Sequence, residues 1–432
     1  MRWEQKFGMP VYRMGQSPRA RVYANKEGLN EWRNKLINNV HFQKDIDAGE
    51  SGSRENAGKH LPRPLVKYAL ITAVLLAPIS LVILFKNDVF VSHRPANFHI
   101  DGSWLVILNS AGKEIGRFDS GIANLVDEKE YRKHFLAKQE AEELEFIRYL
   151  PYIVVEDIDR DGVPEILFSP RSTDDFQTGK IYCLDNSGKL KWAYSAGKEL
   201  KFGPSTYSSD YVPIGIGVYD VNGDGFLEVL FISHCRGQFP TNISLLSAKG
   251  KPLAEYWNVG MINDFGFMDS DGNGNAKIVC AGQNNSFEKP CLIILDPRTM
   301  NGCSPHSRGD DCAELGAGTE DYYVLLPLSP VDEIYGPGIA ISELDLSKSG
   351  NIQCLTTCSG LTYRFNKEFV LQEVYVSNTF EQKYNQAVRQ GLLKVPLDKG
   401  GITKALRSGI TYFDGSNGTW TGRPTMSNRR ED

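Results

Sequence analysis

The sequence predicts a mainly β chain, a β-propeller of about six blades with five to seven compatible, placed after a single transmembrane helix and a small α+β N-terminal segment. Three observations predict it. A loop of the form D-x-[DN]-x-[DN]-G-x-x-[EK]-[IV] occurs three times, and each copy runs into an apolar stretch. Hairpins of one form (apolar strand, Asn/Ser/Gly/Lys turn, second strand) recur from residue 104 onward. Residues 68–85 are eighteen uncharged, mostly apolar residues, near the lower limit for spanning a bilayer.

Length and charge set outer bounds. The 432 residues leave room for one large domain with appendages or for two or three domains. A net charge of −5 does not suit a chain devoted to nucleic acid, but the charge is uneven: residues 1–67 hold 13 Lys and Arg against 7 Asp and Glu. The 41 glycines and 11% aromatics fit many short strands joined by tight turns.

Within residues 1–40 the pattern is a short helix from Arg2 to Phe7, a strand pair near Val11–Met14 and Arg21–Tyr23, and a helix from Lys26 to about Ile37. Arg2, Trp3, Glu4, Gly8, Pro10, Val11 and Arg13, then Val22, Tyr23, Ala24, Leu29 and Trp32, carry a resemblance to the second half of the winged helix-turn-helix domain of excisionase- and MerR-like proteins. The resemblance implies that Arg2, Lys6, Arg13, Arg19 and Arg21 contact DNA phosphates, which position a protein without specifying sequence. The first helix and most of the recognition helix would precede Met1, so DNA is an expected partner only if the domain is completed upstream. The other reading of these residues is a fragment that binds nothing.

Residues 41–64 read as a flexible polar linker and 65–86 as the membrane helix. A signal peptide competes for that stretch, but a long polar segment precedes it and no small-x-small cleavage site follows. Arg54, Lys59, Arg63 and Lys67 precede the span, against Lys86 and Arg94 after it, which orients the N-terminus to the cytoplasm. A single-pass bacterial membrane protein with its C-terminal part periplasmic or extracellular is therefore expected. All eight cysteines lie after residue 180, which agrees with an oxidising compartment for that part. Cys303 and Cys312, bracketing a polar loop, are the leading disulfide pair; Cys354 with Cys358 and Cys280 with Cys291 are weaker ones, and ordinary buried thiols are the alternative.

From residue 95 to 432 the chain reads as the propeller. "WLVILNSAGKEIGRFDS", "GKIYCLDNSGKLKWAYS" and "NISLLSAKGKPLAEYW" are its plainest hairpins, and "GITYFDGSNGTW" ends the last blade or closes the ring. One amphipathic helical insertion is expected near 127–149, with Tyr131, Phe135, Leu136, Leu144 and Ile147 on its apolar side.

The repeated loops carry the chemistry. Asp157, Asp159, Asp161 and Glu165 in the first copy match Asp220, Asn222, Asp224 and Glu228 in the second. The third has Asp269, Asp271 and Asn273, with Lys277 where the others have Glu. Short oxygen side chains at positions 1, 3 and 5 converge when the backbone wraps a hard cation, and a Gly at position 6 permits the turn. Asx-turns that need no metal give the same pattern. A fourth copy from Asp345 keeps Gly350 but has Ser347 and Ser349 in place of ligands.

Loop plus hairpin resembles the FG-GAP (integrin-alpha-like) and VCBS propeller repeats across roughly residues 100–420, and "IYCLDNSGKLKW" is similar to quinoprotein-type blades. The resemblance implies structural Ca2+ at the first two loops, with Val163 and Phe226 adding backbone carbonyls, and a third loop that loses a ligand and gains a positive charge. No nucleophile elbow, phosphate loop or His/Cys metal spacing occurs. The expected function is therefore a membrane-anchored extracytoplasmic propeller that binds or senses an unidentified ligand or protein, and that signals to a cytoplasmic DNA-binding-like segment. A membrane-tethered hydrolase or quinoprotein-like enzyme, or an adhesive surface protein, are the alternatives.

Overall fold

A computed structural model describes residues 12–14, 21–23, 93–137, 150–173, 179–236, 239–269, 274–307, 312, 314–336, 339–347, 350–414 and 418–424. The expected span at 65–86 lies outside these, as do Arg2, Lys6 and Arg19. Among the described residues no helix is long and apolar enough to cross a membrane.

Two units are distinguished, Met1–Leu81 and Val82–Asp432. In the first, β1 (Tyr12–Met14) and β2 (Arg21–Tyr23) pair antiparallel, with Met14 opposite Arg21. This is the expected strand pair, and Arg13 and Arg21 sit at adjacent register positions within it.

The second unit is a succession of sheets in chain order, antiparallel but for one short parallel pair in the second. Sheet 1 is β3 (Pro95–Asp101), β4 (Trp104–Asn109) and β5 (Glu114–Asp119). A short helix α1 (Glu128–Lys133) leads to sheet 2, comprising β6 (Leu136–Ala137), β7 (Ile153–Glu156), β8 (Glu165–Phe168), β9 (Lys180–Leu184) and β10 (Leu190–Ser195). A small hairpin, β11 (Leu200–Phe202) and β12 (Ser205–Tyr207), precedes sheet 3. That sheet is β13 (Tyr211–Tyr219), β14 (Glu228–Cys235), β15 (Thr241–Leu246) and β16 (Pro252–Asn258). Sheet 4 starts with β17 (Ile262–Met268), β18 (Lys277–Asn284), β19 (Lys289–Leu295) and β20 (Tyr322–Leu325). After α2 (Pro330–Tyr335) comes sheet 5, formed by β21 (Ile341–Leu346), β22 (Ile352–Thr356), β23 (Leu361–Phe365) and β24 (Leu371–Val376). Helices α3 (Asn378–Arg389) and α4 (Lys399–Ser408) follow, then β25 (Thr411–Asp414) and β26 (Thr419–Thr421).

Side-chain alternation explains how the sheets stack. Successive residues of a strand face opposite sides of its sheet. In β8, Ile166 and Phe168 enter a core shared with sheet 1, while Leu167 enters one shared with sheet 3. In β14, Val229 and Phe231 face sheet 2, and Leu230 and Ile232 face sheet 4. In β18, Ile278 and Cys280 face sheet 3, and Val279 and Ala281 face sheet 5. The middle sheets are thus apolar on both faces, so their central strands read as continuous hydrophobic runs. Each fully buried large side chain contributes about 1.5–3 kcal/mol.

Strands at corresponding places in consecutive sheets, β7, β13, β17 and β21, adjoin. Ile216 N–H donates to Pro151 O at 2.9 Å, joining β13 to the entry of β7. Asn263 Nδ2 donates to Ile341 O at 2.9 Å, and Leu344 N–H to Asp264 Oδ2 at 2.7 Å, joining β17 to β21. Meander sheets stacked face to face, with corresponding strands adjoining, make the fold mainly β and propeller-like. Five such sheets stand among the described residues, where the sequence suggests about six blades.

Two expectations are corrected. The helical insertion near 127–149 is, as far as described, only Glu128–Lys133: His134 ends it, and Leu136–Ala137 pair parallel with β7. The open edge of β7 offers unpaired backbone groups that capture this segment, and Phe135 turns inward with its ring 5.0 Å from that of Phe98. Residues 138–149 lie outside the description. The C-terminal strands β25 and β26 neither form a blade nor close a ring; they extend sheet 4 outward from β20.

Candidate metal centre

Each repeated loop joins two neighbouring strands of a sheet, and loops 1 and 2 are built on the same hydrogen bonds. In loop 1 (157–165), Asp157 Oδ2 accepts from Gly162 N–H at 3.0 Å, Asp161 Oδ1 from Val163 N–H at 2.8 Å, and Glu165 Oε2 from Ile158 N–H at 3.1 Å. In loop 2 (220–228), Asp220 Oδ2 accepts from Gly225 N–H at 2.9 Å, Asp224 Oδ1 from Phe226 N–H at 2.8 Å, and Glu228 Oε2 from Val221 N–H at 3.1 Å. In loop 3, Asp269 Oδ2 accepts from Gly274 N–H at 3.0 Å; Asp271 and Asn273 lie outside the described residues. The glycine at position 6 is left-handed in all three, φ +91°, +90° and +86°, where a side chain would be strained. Loops 1 and 2 therefore share one backbone shape, and loop 3 shares the bond from position 6 to position 1 and the left-handed glycine.

Loop 1 brings together three of the four carboxylates expected of a cation site. Asp157, Asp159 and Glu165 each offer an oxygen, and these lie within 4.8 Å of one another. Asp157 Oδ1 is buried without a hydrogen-bond partner. The carboxyl of Glu165, 2% exposed, is pushed up by burial against the opposing pull of Lys191; that of Glu228, 3% exposed, is likewise pushed up by burial. Calcium takes oxygen ligands at about 2.3–2.6 Å, so hard oxygens separated by less than about 5 Å fit such an ion.

Two residues that no pattern marked complete the picture. Lys191, on β10, places Nζ 2.7 Å from both Asp159 Oδ2 and Glu165 Oε1. Arg160 Nε donates to Gly225 O, and Leu227 N–H donates to Ile158 O at 2.9 Å, so loops 1 and 2 of adjacent sheets are clasped together. In loop 2 the interior donor is neutral: Asn222 Nδ2 lies 3.1 Å from Asp224 Oδ2 and 3.3 Å from Glu228 Oε1. Asn222 Oδ1 accepts from Asp224 N–H at 2.8 Å. Only the backbone carbonyls of Val163 and Phe226 enter the ligand scheme; the Phe226 side chain is exposed.

Loop 3 departs as its Lys suggested. Lys277 Nζ binds Asp296 and Asp321, each at 2.8 Å. Burial pushes the Asp296 carboxyl up, but hydrogen bonds from Arg298 and Lys277 outweigh it and hold the group well below the ordinary Asp range. Because the folded value is depressed, this stabilisation is present above the ordinary Asp value and is lost as pH falls through the lower folded one. Lys277→Met is therefore expected to move the acid-unfolding midpoint to higher pH, which circular dichroism against pH would register.

All eight cysteines are free thiols, so the expected Cys303–Cys312 disulfide is corrected. Both are buried beside Trp257, Tyr211 and Cys235. A hydrogen bond between the two thiols pushes Cys303 up and holds Cys312 below the ordinary thiol range. Cys183, Cys280, Cys291 and Cys354 are core side chains at the centres of strands.

Comparison with known proteins adds little. No family model matches the chain, and no curated protein matches it. Among solved structures, a Dos1 propeller is similar at 8% identity and TM-score 0.31, over 64% of this chain and 64% of that one. The V. cholerae biofilm matrix protein Bap1 is similar at 15% identity and TM-score 0.20, over 66% of this chain and 44% of that one. The chain spans less than two thirds of either.

Proposed function

We propose that the chain is a binding protein of the FG-GAP/VCBS propeller type, whose repeated loops act as structural calcium clips rather than as a catalytic centre. The observation that carries the calcium reading is loop 1: Asp157, Asp159 and Glu165 oxygens converge, and Asp157 Oδ1 is buried with no protein donor. Asp161 and the Val163 carbonyl would complete that set. Asp220, Asn222, Asp224, Glu228 and the Phe226 carbonyl would form the second. Bound calcium supplies charge neutralisation and cross-links strand entries; the chain's own backbone donors hold the loop shape in either state.

The broader reading places this propeller outside a bacterial membrane, anchored through residues 65–86 and continuous with the cytoplasmic winged-helix-like segment of residues 1–40. Its support is the uncharged stretch 68–85, the flanking positive charges and the motif residues from Arg2 to Trp32. Stacked meander sheets suit recognition of a ligand or protein on their loop faces.

Thermal unfolding of the full-length chain in calcium and in EDTA tests the clips. Each occupied site is expected to add about 2.7 kcal/mol at a hundredfold excess of calcium over Kd. Asp220→Ala should abolish the part of the shift due to loop 2. An unchanged Tm on adding EDTA would remove calcium from this account.

A further inference from the structure

We propose that Lys191 is the resident cation of loop 1: its ammonium closes the carboxylate clip in the metal-free chain, and a divalent ion enters only by displacing it, so loop 2 takes calcium first. The occupancy of loop 2 rests on the calcium reading above, extended to loop 2 by its matching backbone hydrogen bonds; the role of Lys191 does not.

The geometry is specific. Lys191 reaches from β10 across β9 to the first residue of β8 and into the loop before it, meeting Asp159 Oδ2 and Glu165 Oε1 at 2.7 Å each. These are positions 3 and 9 of the motif, two of the oxygens that calcium would claim. A carboxylate oxygen can face an ammonium at hydrogen-bond distance or a divalent ion at about 2.3–2.6 Å, but both cations on the same pair of oxygens would repel each other at short range. Glu165 is 2% exposed, and a buried carboxylate is retained when a cation is paired with it. Lys191 is that cation.

The three loops compared within one chain support the assignment. Loop 1 carries four carboxylates (Asp157, Asp159, Asp161, Glu165), and its lysine comes from another strand. Loop 3 carries its lysine within the motif, at position 9, and directs it to Asp296 and Asp321. Loop 2 carries three carboxylates (Asp220, Asp224, Glu228) and only a neutral amide, Asn222 Nδ2, between two of them. A hydrogen-bonding amide yields by rotating about one side-chain bond. An ion-paired ammonium must be carried out of a half-buried site with its charge. Arg160, the other cation of loop 1, is engaged with Gly225 O and leaves the interior to Lys191.

The test is isothermal titration of the full-length chain with calcium chloride, with far-UV circular dichroism as a folding control. The unaltered chain is expected to bind one calcium tightly, abolished by Asp220→Ala. Lys191→Met is expected to bind two, the new site being at least tenfold tighter than loop 1 of the unaltered chain and lost on Asp157→Ala. Lys191→Arg, which keeps the charge, is expected to behave as the unaltered chain and covers the case in which Lys191→Met folds only with calcium. Unchanged affinity and stoichiometry in Lys191→Met overturns the proposal, even if calcium binds both loops. A second site in Lys191→Met, with no binding by the unaltered chain, sustains the proposal and sinks calcium at loop 2.

Discussion

Replacing Phe231 by Ala is expected to destabilise the second unit by about 3–5 kcal/mol. Phe231 is fully buried, on the face of sheet 3 that meets sheet 2, packed among Val154, Leu167, Ile181 and Leu246, with the Tyr194 ring edge-on at 6.5 Å. Removing the ring leaves a void walled by strands of two sheets, each held from behind by a further sheet, so collapse into it is restricted. Urea unfolding followed by tryptophan fluorescence and by far-UV circular dichroism would measure it. Coincident transitions shifted together to lower urea are expected, because the core belongs to two sheets at once. A loss confined to one probe would show that the sheets unfold separately and that the stacking described above is not cooperative.

The second large effect concerns two glycines that let sheet 1 approach sheet 2. Gly188, in the turn between β9 and β10, has φ +83°, and a Cβ built there would lie 2.3 Å from Arg117 O. Reciprocally, a Cβ on Gly116 of β5 would lie 2.3 Å from the Ser187 carbonyl carbon. Backbone against backbone leaves no side chain to move aside. Gly188→Val should therefore cost about 3 kcal/mol, combining a left-handed conformation with overpacking. Gly112→Ala provides the contrast: φ is +74°, but no atom lies within 4 Å of its built Cβ, so only the conformational part, about 1–2 kcal/mol, is expected. Equal losses in the two variants would refute the close approach as the cause.

Much of the fold was legible because its signals are local. Asp220, Gly225 and Glu228 code for a turn and a strand entry within nine residues, and each predicted hairpin around Gly112, Gly188 and Gly250 forms with that glycine left-handed. What could not be read is what arrives from elsewhere in the chain. Lys191 sits in "GKLKWAYS" as one of several surface lysines, and nothing in that stretch tells it from Lys189. The clasp of Arg160 on Gly225 O depends on two sheets being neighbours. The helix anticipated from residue 127 begins there, where the Asp127 side chain accepts from Lys129 N–H at 2.8 Å, and residues 138–149 of that expectation lie outside the described ones. A strand edge competing for Leu136 and Ala137 is a tertiary effect that periodicity does not contain. The cysteines illustrate the converse: their even number suggested bridges, while alternation within apolar strands already sufficed to account for Cys183, Cys280, Cys291 and Cys354 as core.

The attachment of β25 and β26 to β20 sets an order of events during synthesis. Sheets 1, 3 and 5 are each built from one uninterrupted run of chain and can pair as soon as that run emerges. Sheet 4 cannot: β20 ends at Leu325, and its outer neighbour begins at Thr411, beyond all of sheet 5 and three helices. Until those last residues leave the ribosome, β20 presents a row of open amide and carbonyl groups to whatever passes. The β25–β26 hairpin acts as a latch that closes after sheet 5 has emerged, and sheet 5 is enclosed in the loop that it locks.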